Sequence, residues 1–128
     1  MAKTVLLVDY DPRSIARIRT ELAKLGLRIV LAHDGKAAEK EFQRELPDLT
    51  LVQDLLPGKL GYQVCCDLKE TPAGAQSPIL LLGRLRNGGR YKVSASRCDD
   101  WIETPVDEKS LRDKVLKYHP GAAPSASV

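Results

Sequence analysis

This 128-residue chain has no apolar run near the roughly 20 residues needed to cross a bilayer. Its first apolar stretch, Val5-Leu6-Leu7-Val8, is too short for a secretion signal and ends in acid, so a cytoplasmic location is expected. Three cysteines, Cys65, Cys66 and Cys98, make neither a disulfide framework nor a metal-ligand spacing. The two histidines, His33 and His119, lie far apart and near none of the cysteines in sequence, so no metal site is expected and the thiols read as structural. A net charge of +3 is too small to argue for nucleic acid, and no helix-turn-helix or RNA-binding signature is present. At 14.1 kDa, 43% hydrophobic and 29% charged, the composition is that of one globular domain with a single core.

Strand-like and helix-like segments alternate five times. Val5–Val8, Arg28–Ala32, Leu49–Val52, Ile79–Leu82 and Asp100–Glu103 are short β-prone runs, two of them (Val5–Val8 and Ile79–Leu82) apolar throughout as in strands buried on both faces. Between them, Ile15, Ile18, Leu22 and Leu25 recur at helical spacing after Asp11-Pro12, a cap followed by a first-turn proline, and Gly26 ends that helix. Asp34-Gly35 opens a second helix with Ala38 and Phe42 on one face; Tyr62, Cys65 and Leu68 mark a third. Leu111, Val115 and Tyr118 mark the last, with Asp107 as its cap. The fourth helix, between strands four and five, falls on Arg84-Leu85-Arg86-Asn87-Gly88-Gly89-Arg90. Its adjacent glycines each cost on the order of 1 kcal/mol in a helix, so it is expected to be short or irregular. A domain over 1–118 is expected, with 119–128 as a Pro-rich flexible tail or the start of a linker.

Alternation of this kind predicts an α/β fold: a five-stranded parallel sheet, doubly wound, with helices on both faces. Ligand sites in such sheets lie beyond the carboxyl ends of the strands. Asp9, Tyr10, Asp11, Gln53, Gly83 and Thr104 fall on that edge.

Five signatures appear in order on these elements: Val8-Asp9-Tyr10-Asp11-Pro12, Asp34-Gly35, Pro47-Asp48-Leu49, Leu56-Pro57-Gly58-Lys59-Leu60-Gly61, and Asp99-Asp100-Trp101-Ile102-Glu103-Thr104-Pro105-Val106. Together they resemble the receiver domain of two-component response regulators, flavodoxin-like and close to the chemotaxis receivers, from about residue 3 to residue 118. The resemblance implies a phosphoacceptor aspartate at the end of strand three, and Pro47, Pro57 and Gly61 all assign that position to Gln53. It also implies paired acids for Mg2+, found here as Asp9 and Tyr10; a Ser or Thr at the end of strand four, found as Gly83; and a Lys before the strand-five proline, found as Thr104. Trp101 takes the place of an aromatic whose rotamer reports activation.

An amide nitrogen is not a nucleophile at neutral pH. Without a metal or a lysine, no cation steadies a phosphoryl group in transit. The expectation is a bacterial pseudo-receiver: no enzyme, no cofactor, a phosphorylation-independent protein–protein interaction module. By resemblance its partner would bind the face of the fourth helix, strand five and last helix, near Arg84, Arg86, Arg90, Trp101 and Lys109.

Two alternatives stay open. The hollow around Asp9, Gln53, Gly83 and Thr104 can sense a small ligand. Or Asp54 takes the phosphate, although alternation along the strand turns it from the site; a solvated or loop-capping acid is the blander reading of Asp54. Tyr10 either fills the metal's space or turns to solvent. Arg84, Arg86, Arg90, Lys92 and Arg97 form an acid-free basic stretch, either a solvated face or a match for an anionic partner. A flavodoxin-like redox protein is distant, because Asp11-Pro12 stands where a phosphate loop would be.

Overall fold

A computed structural model describes residues 3–84 and 97–119. The elements run β1 (Thr4–Val8), α1 (Pro12–Lys24), β2 (Arg28–Ala32), α2 (Gly35–Glu45), β3 (Leu49–Gln53), α3 (Gly61–Lys69), α4 (Pro72–Gln76), β4 (Ile79–Gly83), β5 (Asp100–Glu103) and α5 (Glu108–Tyr118). The strands form one sheet in the order β2-β1-β3-β4-β5, and every pairing is parallel. This is the doubly wound α/β fold that the alternation predicted, in the flavodoxin-like form that the resemblance implied.

The period of two along each strand divides the core. Val5, Leu7, Leu49, Leu51, Leu80 and Leu82 pack with Ile15, Ile18 and Leu22 of α1 and Leu111 and Val115 of α5. Their neighbours Leu6, Val8, Val52, Ile79 and Leu81 face the other way, against Ala38 and Phe42 of α2 and Val64, Cys65 and Leu68 of α3. Strands buried on both faces need apolar residues at every position, which is why β1 and β4 carry unbroken Val/Leu/Ile runs.

The helix starts follow local chemistry. Asp11 accepts from the Arg13 amide at 3.1 Å, Asp34 from the Ala37 amide at 2.8 Å and Asp107 from the Ser110 amide at 3.1 Å. Each such cap is worth about 1 kcal/mol. After α1, Gly26 adopts φ 76°, the left-handed conformation that lets the chain turn into β2.

One element was not anticipated. α4 is a single short helix capped by Thr71, whose hydroxyl accepts from Gly74 N at 3.0 Å and donates to Leu68 O at 2.7 Å. The fourth predicted helix lies outside the described residues apart from Arg84, as does the tail from Pro120 onward. His119 is buried, and its amide donates to Val115 O at 2.8 Å.

Candidate functional site

Five parallel strands end on one edge, and the loops there enclose a pocket of about 460 Å³ whose walls include Asp9, Tyr10, Gln53, Asp54, Gly83 and Thr104. The register explains the convergence. Val8 pairs with Val52, Gln53 with Leu82 and Gly83 with Glu103, so the three central strands and β5 stop together. Thr104 N donates to Gly83 O at 3.1 Å, which ties the end of β5 to that of β4.

Asp9 is fully buried at the pocket floor. Its Oδ1 accepts from the Asp11 amide at 3.0 Å, and its Oδ2 accepts from Ser14 Oγ at 2.5 Å and Gln53 Nε2 at 3.3 Å. Gln53 Nε2 also donates to Ser14 Oγ at 3.1 Å, which closes a triangle of Asp9, Ser14 and Gln53. Ser14 was missed by sequence reasoning. Its only signal was a hydroxyl in the first turn of a helix whose N-terminus follows an acidic strand end.

The chain leaves β3 through a tight passage. Gly61 N donates to Asp54 O at 2.7 Å, and a Cβ on Gly61 would come within 1.9 Å of Gln53 O, so only glycine permits α3 to start there.

Asp54 departs from expectation. It is not a solvated acid: it is 5% exposed, and its side chain packs against the α-carbon of Gly83. Its amide extends the β3–β4 ladder to Leu82 O at 2.6 Å, which carries the residue into the pocket wall.

Tyr10 is 49% exposed on the pocket wall, and Thr104 is half-buried. Arg84 borders the pocket too, but Trp101 and Lys109 do not. Trp101 is 41% exposed on β5, with Lys114 Nζ 5.8 Å from its ring centre. Lys109 pairs with Asp113 at 2.6 Å on an exposed face of α5. Arg97 is exposed at φ 60°, while Arg86, Arg90 and Lys92 fall outside the described residues.

The donor set does not suit a hard dication. Mg2+ requires anionic oxygens free to replace its water. Both oxygens of Asp9 already accept hydrogen bonds, Gln53 directs its amide at Oδ2 and at Ser14 Oγ, position 10 is a phenol, and the Asp11 carboxylate caps α1. Among the described residues no cluster of three or more His, Cys, Asp or Glu is placed to hold a metal.

The family model for the response regulator receiver domain matches residues 5–116. The chain belongs to the response regulator receiver family. Response regulator PleD of Caulobacter vibrioides is 28% identical over 116 residues, covering 90% of this chain and 26% of PleD. The ycf27 transcriptional regulator of Cyanophora paradoxa is 33% identical over 115 residues, covering 88% of this chain and 46% of that one. The chain thus spans less than half of either curated relative. Among solved structures, the BeF3-activated N-terminal receiver domain of RstA from Klebsiella pneumoniae superposes with a TM-score of 0.81 at 28% identity, over 91% of this chain and 97% of that one.

Elsewhere in this receiver domain, burial raises the Cys65 thiol well above its ordinary pKa, and the nearby Cys98 adds to the shift, so Cys65 is an inert core thiol. Asp100 sits opposite the pocket, at the start of β5. Burial pushes its carboxyl up, but hydrogen bonds from Lys114, the Trp101 amide and Tyr118 outweigh that and hold it below the usual range.

Proposed function

We propose that this receiver domain is a non-phosphorylatable, protein-binding module of bacterial two-component signalling. The observation that carries the proposal is the side chain of Gln53. It stands at the strand-three terminus with its amide donating to Asp9 and Ser14, where the family's reaction needs a carboxylate and a metal. Gly83 supplies no hydroxyl and Thr104 no ammonium, so neither helper group stands by. The fold is then retained for its surface, and contact with a partner does the signalling.

The partner face is placed on β5 and α5, extended by Arg84. Part-exposed Trp101 is the anchor: an indole that keeps a polar edge in water contributes more than its share at interfaces. Arg84 gives that face a positive charge, Lys109 joins it as an ion pair with Asp113, and Arg86 and Arg90 are expected to extend it.

A second reading is favoured by one feature. Asp54 lines the pocket, so it is a rival phosphoacceptor. Incubation with acetyl phosphate and Mg2+, followed by intact-mass measurement, separates the two. The proposal expects no phosphoryl adduct on the wild type. An adduct that disappears in Asp54→Ala supports the rival instead.

A further inference from the structure

Three arginines face the same pocket: Arg13 and Arg17 on α1, and Arg84 at the exit of β4. Arg13 and Arg17 are four residues apart and so lie on one side of the helix. All three are exposed, and none takes part in an ion pair with any described residue. What sets them apart from other basic residues without an ion pair among the described residues, such as Arg19, Lys36 and Arg112, is that all three line one pocket.

Three acids line the same pocket: Asp9, Asp11 and Asp54. Asp54 is buried with its side chain against Gly83. Asp9 is buried at the floor and accepts from Ser14, Gln53 and the Asp11 amide. Asp11 is turned to the Arg13 amide as the cap of α1. The exposed mouth thus carries three guanidinium groups, while the carboxylates of Asp9 and Asp54 are buried beneath it.

The rest of the lining is mixed: Ser14, Gln53, Asp54 and Thr104 are polar, and one part is apolar. Tyr10, Ile18, Leu55, Pro105 and Val106 make up that apolar part. A volume of about 460 Å³ lies within the range of small-molecule sites. A guanidinium binds carboxylate or phosphate through paired N–H donors, and it sheds water more readily than an ammonium.

We propose that the pocket binds a small organic anion without a metal: a carboxylate or phosphate head held by Arg13, Arg17 and Arg84, and a compact apolar or aromatic body against Tyr10 and Val106. Binding of this kind is independent of phosphoryl transfer to Gln53 or Asp54, so the adduct assay above and the titration below fail separately.

The test is a ¹H–¹⁵N titration of the wild-type domain in EDTA with phenyl phosphate, benzoate, benzyl alcohol and inorganic phosphate. At least one of the two aromatic anions should give saturable shifts at the amides of Arg13, Arg17 and Val106. Benzyl alcohol, which lacks the charge, and inorganic phosphate, which lacks the body, should each bind at least about tenfold more weakly. Arg17→Gln and Arg84→Gln are surface changes that keep the spectrum of a folded domain, and each should weaken the anion by about tenfold. The proposal is overturned by absence of saturable shifts from both aromatic anions, by equal affinity for benzyl alcohol or inorganic phosphate, or by unchanged affinity in both arginine variants.

Discussion

The side chain of Asp54 rests on the α-carbon of Gly83: a methyl group added at position 83 would lie 2.6 Å from Asp54 Cβ and 3.3 Å from its Oδ2. The missing hydroxyl residue at the end of β4 and the inward acid after β3 are therefore one arrangement. The space that one gives up the other fills.

Gly83→Ala should destabilise the domain by about 1–3 kcal/mol, because the contact is with a Cβ close to the backbone and cannot swing aside. Asp54→Gly removes that atom, so the double variant Gly83→Ala/Asp54→Gly should lose less than the sum of the two single changes. Chemical denaturation of the four proteins closes the cycle. Strict additivity would mean that the two positions do not touch.

Gly61→Ala should be far worse. Its Cβ would meet backbone, the Gln53 carbonyl, at 1.9 Å, with no flexible neighbour to yield. A loss of at least about 3 kcal/mol is expected, or failure to fold at all. Gly58 offers the control: a Cβ there meets nothing within 4 Å, but its φ of 79° makes Gly58→Ala cost only conformational strain, about 1 kcal/mol.

Gln53→Asp puts a second carboxylate against Asp9 and removes two donated hydrogen bonds. At neutral pH the variant should lose about 1–3 kcal/mol. Millimolar Mg2+ should raise its melting temperature and leave that of the wild type unchanged. Equal responses of the two proteins to Mg2+ would contradict the account of the donor set.

Tyr118 gives a pH signature at the opposite end of β5. Burial and the 2.8 Å hydrogen bond to Asp100 raise its phenol to about 12. A free tyrosine titrates near 10. Between those values the folded chain keeps a proton that the unfolded chain has lost, so stability falls as pH rises through that window and the contribution is complete below it. Asp100 has the opposite sense: its carboxyl is held low, so its contribution is present above the ordinary carboxylate range and is lost as pH falls through the folded value. Denaturation midpoints at alkaline pH should show a steeper decline for wild type than for Tyr118→Phe. Parallel curves would remove the Tyr118–Asp100 bond from the account.

Much of this was legible in the chain. The caps Asp11, Asp34 and Asp107 announce their helices because a short acid before an amphipathic run has one good use there. The apolar runs at Val5–Val8 and Ile79–Leu82 require helices on both faces. Pro47 and Gly61 bracket Gln53 because the passage out of β3 admits no side chain at Gly61. α4 went unseen because five residues give no periodicity, although Thr71-Pro72 carried the start signal. Asp54 was misjudged because strand alternation was applied one residue past the strand, where the ladder bond to Leu82 O still holds the chain. Ser14 could not be found from spacing: its role depends on a strand 39 residues away. The three arginines at the pocket mouth were scattered over α1 and the exit of β4, and only the fold brings them together.

The central claim concerns the strand-three terminus, and the most direct measurement is a ¹H–¹⁵N spectrum of the wild-type domain with and without beryllofluoride and Mg2+. The account predicts superimposable spectra at Gln53, Asp54, Gly83 and Trp101. Saturable, Mg2+-dependent shifts at those amides would show an acyl-phosphate mimic seated in the pocket and would contradict it.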